Sequence, residues 1–366
     1  MIKICHLTSV HPRYDTRIFY KECRFLAKSG YTVCLIVADG KGDEIIDGII
    51  IYDVGKSKGR IQRMLLTTKK VFLKAISLNA TIYHIHDPEL ISTGLKLKKR
   101  GLNVIFDAHE DLPKQLLSKS YLPKVIRVPL SEFIAQFEKK TCKKFDAIIT
   151  ATPFIREKFL KINKNSIDVN NFPILDEFVK EKTNNLEKRN ICYIGIISKI
   201  RGIEELVTAF GIIESNTGLF LCGDFDEFEL KGKVENLSGW SKVKYLGFVD
   251  RGKVRKVLSH SLAGVVTFLP EPNHTESQPN KIFEYMSAGL PVICSNFPLW
   301  RQIVEGNKCG ICVDPLNPRE ISAAIDFFVN NPEIAQEMGK NGRMAIEQYY
   351  NWELEEKKLL ELYSKI

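Results

Sequence analysis

The sequence predicts an α/β protein of two Rossmann-like lobes facing each other across a cleft. Three observations carry that expectation. Short runs rich in Val, Ile and Leu alternate with helix-period segments along nearly the whole chain, as in doubly wound parallel sheets. The alternation breaks once, after Asn170-Asn171-Phe172-Pro173, where residues 176–190 are charged and poor in apolar side chains. A length of 366 residues with 44% hydrophobic content suffices for two ordinary domains.

The first series opens with a strand at Ile2–Leu7, a helix near Arg17–Ser29 stopped by Gly30, and a strand at Thr32–Ala38. It continues with a strand at Ile49–Val54, a helix within Ile61–Leu78 and a strand at Thr81–Ile85. A helix through Leu90–Lys99 stopped by Gly101 and strands at Asn103–Asp107 and Ala147–Thr150 complete it. After the break come a strand at Asn190–Gly195, a helix over Ile203–Ile213, and strands at Leu219–Cys222, Val243–Leu246 and Leu262–Phe268. A helix at Lys281–Ala288, stopped by Gly289, leads into a buried strand at Pro291–Ser295. Ligands of such sheets bind outside the carboxyl ends of the strands, so the loops there hold the candidate site residues.

Bulk properties exclude several classes. No apolar run reaches the roughly 18–20 residues needed to cross a bilayer, and the first residues read as a strand rather than a signal peptide. Five of the nine cysteines (Cys5, Cys34, Cys192, Cys222 and Cys294) sit in apolar strand-like runs and suit a reducing cytoplasm. Cys309-Gly-Ile-Cys312 lacks a second pair or nearby histidines and reads as strand and turn. The net charge of +9 is uneven: residues 1–170 hold 30 Lys/Arg against 17 Asp/Glu (+13), and residues 171–366 hold 23 against 27 (−4). A basic half beside an acidic one points to an anionic partner for one lobe.

The densest chemistry lies in Glu276-Ser-Gln-Pro-Asn-Lys-Ile-Phe-Glu284-Tyr-Met-Ser-Ala-Gly-Leu-Pro-Val-Ile-Cys-Ser. Pro279 falls near the first helical turn, where a missing N–H costs nothing. Free backbone N–H groups there, with the Lys281 ammonium, suit a phosphate-like anion. Glu284, a turn deeper, can accept hydrogen bonds from a vicinal diol such as a ribose, and Glu276 lies on the preceding loop, where a sugar would face it. A diphosphate flanked by two hydroxyl-reading carboxylates describes a nucleotide-sugar site.

This stretch resembles the E-x7-E signature of family 4 (group 1) glycosyltransferases, in the branch carrying P-x-K-x-x-E-Y, and the resemblance runs along nearly the whole chain. It implies the GT-B fold, with the final helix, Asn351–Ile366, crossing back onto the first lobe. The expected domains are 1–170 plus 346–366 on the acceptor side and 171–345 for the nucleotide-sugar. It also implies retention of anomeric configuration and no need for a metal or other cofactor.

Within that resemblance, Gly195-Ile-Ile-Ser-Lys199-Ile-Arg201-Gly202 looks like the loop that clamps the donor diphosphate. Arg201 takes the usual Lys position and Ile196 replaces the usual Arg, so one cation is missing and Lys199 or Lys281 is expected to compensate. Gly223 and Gly247 fall near the nucleotide, and His274 is placed to reach the sugar or β-phosphate. In Phe106-Asp107-Ala-His109-Glu110-Asp111, His109 corresponds to a histidine that touches the donor sugar near the reacting carbon, and Glu110 could orient the acceptor. His84-Ile-His86-Asp87 could bind zinc, but a hydrogen-bonding role for His86 fits the resemblance better. Arg13, Asp15 and Arg17 replace a glycine-rich loop and are expected to shape the acceptor side. Asp224-Phe-Asp226 is a literal D-x-D, read as a turn rather than a metal motif.

Lys56, Lys58, Arg60, Arg63, Lys69, Lys70 and Lys74 interleave with apolar residues and no acid, and a second basic region spans Leu116–Lys144. Such helices lie on anionic lipid surfaces or simply present a solvated face. The expected activity is transfer of a hexose or N-acetylhexosamine from a nucleotide-sugar, UDP-linked, to a saccharide or polyprenyl-diphosphate-linked saccharide in cell-surface polysaccharide synthesis. The expected location is cytoplasmic, peripheral to the inner membrane face, with no nucleic-acid partner. The alternatives are a nucleotide-sugar epimerase or phosphorylase on the same fold, or a non-catalytic basic membrane- or nucleic-acid-binding protein.

Overall fold

The computed structural model describes residues 2–117, 123–178 and 190–366. Residues 179–189 of the charged connecting stretch and residues 118–122 of the second basic region lie outside the described residues. The chain divides into two compact units, Met1–Asn171 with Trp352–Ile366, and Phe172–Asn351. The first unit thus takes back the chain at Trp352, six residues later than the boundary at 346 drawn from the sequence.

The first unit is an eight-stranded sheet of β1 (Lys3–Leu7), β2 (Thr32–Val37), β3 (Glu44–Ile46), β4 (Ile49–Asp53), β5 (Ile82–Ile85), β6 (Asn103–Ala108), β7 (Ala147–Thr150) and β8 (Ser166–Asp168). Their spatial order is β3-β4-β2-β1-β5-β6-β7-β8. All neighbours are parallel except β3 and β4. That edge hairpin was missed in the sequence, yet it turns on Asp47-Gly48, both at positive φ (53° and 76°), the conformation of a type I′ turn. The short strand β8 was missed too.

The two faces of this sheet differ sharply. Cys5, Leu7, Tyr83, Ile85, Val104 and Phe106 point into an apolar core. His6, His84 and Asp107 alternate with them and point to the other face, as a side-chain period of two requires. The parallel register places His6 opposite His84. That second face packs against the helix opening at Thr16–Cys23, capped by Asp15, whose carboxylate accepts from Arg17 N and Ile18 N. The helix Trp352–Ser364 also packs there, and the Tyr363 hydroxyl lies 2.6 Å from His84 Nδ1.

The second unit is a six-stranded, wholly parallel sheet: β9 (Asn190–Ile194), β10 (Leu219–Cys222), β11 (Val243–Gly247), β12 (Ser261–Val266), β13 (Val292–Ser295) and β14 (Gly310–Val313). Its order is β11-β10-β9-β12-β13-β14. Apolar clusters cover both faces, which is why its strands read as continuous rather than alternating hydrophobic runs. The helix Asn280–Ser287 buries Ile282, Phe283, Tyr285 and Met286, each worth about 1.5–3 kcal/mol of apolar transfer. Tyr285 Oη also accepts from Ile194 N at 3.0 Å, tying this helix to the end of β9.

In each sheet the order in which parallel strands are added reverses beside the first strand, between β1 and β5 and between β9 and β12. Loops leaving these strands splay apart, making the topological switch point where open α/β sheets receive ligands. Among the described residues, no helix is long and apolar enough to cross a membrane.

Candidate functional site

In the second unit the loop leaving β9 is shaped by close backbone packing. Gly202, at φ +70°, starts the helix Ile203–Phe210, and a Cβ there would sit 1.9 Å from the Thr267 carbonyl beyond β12. Gly223, following β10, has φ +134°, and its Cβ would lie 1.8 Å from Gly195 O. Gly223 N donates to Gly247 O at 2.8 Å. Gly195, Gly223 and Gly247 therefore close the carboxyl ends of three adjacent strands with backbone alone.

Cations line this edge. A single 3-10 turn, Lys199–Arg201, carries Lys199 exposed and Arg201 half-buried, with the Arg201 guanidinium 5.1 Å over the Phe268 ring. Lys281 Nζ donates to Glu284 Oε2 at 2.7 Å. Arg251 Nη1 donates to Glu284 Oε1 at 3.2 Å, and its Nη2 reaches Glu177 at 2.7 Å. Glu284 is thus buried and bracketed by two cations. Arg251 was not anticipated: it lies 33 residues from Glu284 with no motif around it, and only the fold brings the two together. Glu276 is exposed in the turn before the helix, which Trp300 anchors by donating Nε1–H to Ser277 O at 2.7 Å. His274 is buried on Phe268 and lies 3.0 Å from Leu269 O through Nδ1. Burial holds its pKa below the usual imidazole value, so the ring is neutral at pH 7. Asp224 and Asp226 flank a bridge from Phe225 to Ile197.

In the first unit Asp87 organises the loop leaving β1. Its Oδ2 accepts from Thr8 Oγ1 and Ser9 Oγ, each at 3.0 Å, and from Val10 N at 3.2 Å. Ser9 Oγ also lies 2.6 Å from Glu89 Oε1, so its single proton is shared between the two carboxylates, and Arg63 Nε reaches Glu89 at 3.0 Å. His11 bridges Asp15 (3.3 Å) and Asp87 (3.4 Å). Burial works against protonating His11, but the Asp15 hydrogen bond and the surrounding carboxylates outweigh it and lift its pKa.

Arg13 and Arg17, expected to shape the acceptor side, are occupied elsewhere. Arg13 is 4% exposed and forks onto Asp39 at 2.8 Å, with Nη1 on Glu44 at 2.8 Å. Arg17 is 3% exposed; it clasps Asp107 through Nε (2.8 Å) and Nη2 (2.9 Å) and gives Nη1 to Val169 O at 2.7 Å. Arg17 neutralises the buried Asp107, and Arg13 the partly buried Asp39 and Glu44, demands that a linear reading of a basic loop does not reveal. Asp15 serves as the helix cap, and Glu110 is exposed and bonded to Gln115.

His86 is buried, and Asp87 does not join it. His6 Nδ1 and His86 Nε2 lie 2.9 Å apart, and Glu22 Oε2 is 3.8 Å from each of those nitrogens. His109, whose side chain is 19% exposed, brings Nε2 to 3.1 Å from Asp107 Oδ2 and 3.3 Å from His86 Nδ1. Burial pulls the His86 pKa to about 4 against the opposing pull of Asp107, and holds His6 and His84 well below 6.5. Burial alone would raise the Asp107 pKa, but Arg17 and the His109 and His86 hydrogen bonds hold it well below the carboxylate range. Glu22, buried beside Asp107, is pushed up. Two sets here have metal-ligand chemistry: His6, Glu22, His84 and His86, and His86, Asp107 and His109, each converging within 4.8 Å.

Known proteins match this architecture over both units. Residues 16–169 match Glycosyltransferase Family 4, and residues 176–345 match Glycosyl transferases group 1. The chain is similar to the capsular polysaccharide biosynthesis glycosyltransferase CapM of Staphylococcus aureus, at 22% identity over 99% of this chain and 97% of that protein. It superposes on sucrose-phosphate synthase from Thermosynechococcus elongatus with a TM-score of 0.80 and 19% identity, covering 100% and 99% of the two chains. HepE of Anabaena, solved in complex with UDP-glucose, superposes with a TM-score of 0.77 at 14% identity, covering 100% of both chains. With two parallel-sheet α/β units, glycine-closed strand ends and both family matches in sequence order, this chain belongs to the family 4 (group 1) glycosyltransferases and has the GT-B fold.

Proposed function

We propose that the enzyme transfers a hexose or N-acetylhexosamine, with retention, from a UDP-sugar to a saccharide or polyprenyl-diphosphate-linked saccharide in cell-surface polysaccharide synthesis. The observation that carries the donor half is the edge of the second sheet. Three glycine-closed strand ends leave space for a nucleotide, and Lys199, Arg201 and Lys281 offer charge to a departing diphosphate, without calling on a metal. Glu284 accepts the ribose hydroxyls, with Arg251 and Lys281 holding its carboxylate in place. Glu276 accepts sugar hydroxyls, Gly195, Gly223 and Gly247 admit the nucleotide backbone-first, and His274 contacts the sugar or β-phosphate. His109 belongs to the reaction centre, Asp15 and Glu110 stand on the acceptor side, and His86, itself buried, backs His109.

The similarity to CapM favours surface polysaccharide as the setting, and the likeness to HepE with UDP-glucose favours UDP as the carrier. Calorimetric titration of UDP, with GDP as comparison and EDTA present, tests the reading. Selective UDP binding supports it, and binding of neither nucleotide overturns the donor site.

A second element of the proposal is attachment to the inner membrane face. Ile61 (76% exposed), Met64, Leu65 (67%) and Leu66 stand out from the helical stretch beside Arg60, Lys69 and Lys70. The chain has no acid between Asp53 and Asp87. Apolar side chains ringed by cations fit an anionic bilayer. Flotation with anionic liposomes should exceed flotation with neutral ones by about tenfold, since each cation near the surface contributes about 1 kcal/mol; equal recovery removes this element.

A further inference from the structure

Lys281 serves two sites in the second unit. Its Nζ donates to Glu284 Oε2 at 2.7 Å, across one turn of the helix Asn280–Ser287. Its stem runs past the end of β9, where a Cβ on Gly195 would lie 3.7 Å from Lys281 Cε and 3.2 Å from Arg201 Nη1. Two cations therefore converge over Gly195, at the corner that offers charge to a diphosphate. An ammonium already held by a carboxylate has part of its charge cancelled, so Lys281 cannot fully serve Glu284 and a phosphate together.

Arg251 is held where Lys281 can turn. Its Nη2 lies 2.7 Å from Glu177 and its Nη1 donates to Glu284 Oε1 at 3.2 Å, so one planar fork spans two carboxylates. The guanidinium also rests 5.5 Å from the centre of the Phe178 ring. Its backbone opens the helix Arg251–Ser259, capped by Asp250, which accepts from Lys253 N at 2.8 Å. Lys281 is instead a flexible stem carrying one point charge, three residues before Glu284 on the same helix. Turning its last torsions takes the ammonium off Glu284 Oε2 while the helix stays in place.

A vicinal diol needs two acceptor sites, and each carboxylate oxygen carries two lone pairs. Arg251 holds Oε1, and Lys281 stands at Oε2, the atom with which the diol must compete or share. With both cations gone, Glu284, 8% exposed, would lose its two ion pairs at once, a costly state for a buried carboxylate. One of the two has to stay, and Arg251 is the one whose other arm is anchored.

We propose that Arg251, anchored by Glu177, is a positioning residue that keeps Glu284 set for a ribose diol, and that Lys281 leaves Glu284 for the diphosphate when the donor binds. The proposal rests on the reading that Glu284 accepts the ribose, and adds the residue that lets Lys281 leave. It ties the two halves of the nucleotide together: the diphosphate draws Lys281 off Oε2, and the vacated oxygen accepts the ribose hydroxyls. With 41% of its side chain exposed, Arg251 contributes little to stability through these pairs, so its replacement acts on binding.

The test is calorimetric titration of the full chain with UDP, UMP and a UDP analogue lacking both ribose hydroxyls, on the wild type, Arg251→Gln and Lys281→Met. The wild type should bind UDP about 10- to 100-fold tighter than the analogue. Arg251→Gln should lower that ratio to about threefold or less, and should also shrink the gain from UMP to UDP, because Lys281 is then kept by Glu284. Lys281→Met should lose most of the gain from UMP to UDP and keep the ribose ratio within about threefold of the wild type. An unchanged ribose ratio in Arg251→Gln overturns the proposal. So does loss of the ratio in Lys281→Met, an outcome that needs no change at Arg251. A wild type that binds UDP and the analogue equally overturns the ribose reading of Glu284, and the proposal with it.

Discussion

The buried histidine layer makes the first unit acid-sensitive, and His86 allows the effect to be sized. In the unfolded chain an imidazole titrates near 6.5; in the fold His86 titrates near 4 because it is desolvated. A depressed imidazole pKa means that the unfolded state binds the extra proton, so stability is full above pH 6.5 and falls as pH drops toward 4. The slope approaches about 1.4 kcal/mol per pH unit, giving about 2 kcal/mol lost between pH 7 and 5 and about 3.4 kcal/mol lost below pH 4. His6 and His84 act in the same direction, while Glu22, whose pKa is raised, opposes them by favouring the fold as pH falls.

The clean perturbation is His86→Gln, which removes one titration whatever it does to absolute stability. Urea titrations at pH 7, 6 and 5, read by pulsed hydrogen exchange of β1 and β5 peptides, report the first unit by itself. The loss from pH 7 to 5 should be about 2 kcal/mol smaller in the variant. Identical pH dependence in the two proteins would refute the claim that His86 is held neutral by burial.

Other substitutions separate roles in the second unit. Glu284→Ala should weaken UDP binding by about 10- to 100-fold, from two lost charged hydrogen bonds and two cations left unpaired. Glu276→Ala, at an exposed position, should leave UDP affinity within about twofold and lower kcat by about 100-fold or more. Calorimetry and product assays together check this split, and normal turnover by both variants sinks the role assignment. Gly202→Ala places a methyl group 1.9 Å from Thr267 O at φ +70°. It should cost at least about 1–3 kcal/mol and lower the melting temperature of the second unit, whereas an unchanged melting temperature would mean that the β9 loop is not fixed as described.

The legible parts of the sequence were those with local cause. Strands buried on both faces announced themselves as Val/Ile/Leu runs, and glycines after helices marked their ends. The helix Asn280–Ser287 followed from Pro279 before it and Gly289 after it. The edge strand β3 escaped because it is three residues long and half-exposed, leaving only Asp47-Gly48 as its signal. The histidine layer was half legible: His84-x-His86 and Asp107-x-His109 each showed a shared face at period two. His6 and Glu22 gave no sign of joining them, since parallel pairing brings His6 to His84 across 78 residues of sequence. The burial of Arg13 and Arg17 in ion pairs was hidden for the same reason, because their carboxylate partners lie 26 and 90 residues away.

The helix Trp352–Ser364 carries a timing consequence. Its Tyr363 hydroxyl meets His84, and its Glu355 accepts from Asn170 N at 2.7 Å, so it closes the polar face of a sheet whose strands are complete by Asp168. Domains ordinarily fold as units, amino-terminal first, during synthesis. Here the ribosome must add the entire second unit before the first can be finished, at about 5–20 residues per second. For roughly ten seconds or more of every round of synthesis, this polar layer waits without its covering carboxyl-terminal helix. The eight-stranded sheet is therefore left incomplete for that long, and the thirteen residues of the helix Trp352–Ser364 decide when that exposure ends.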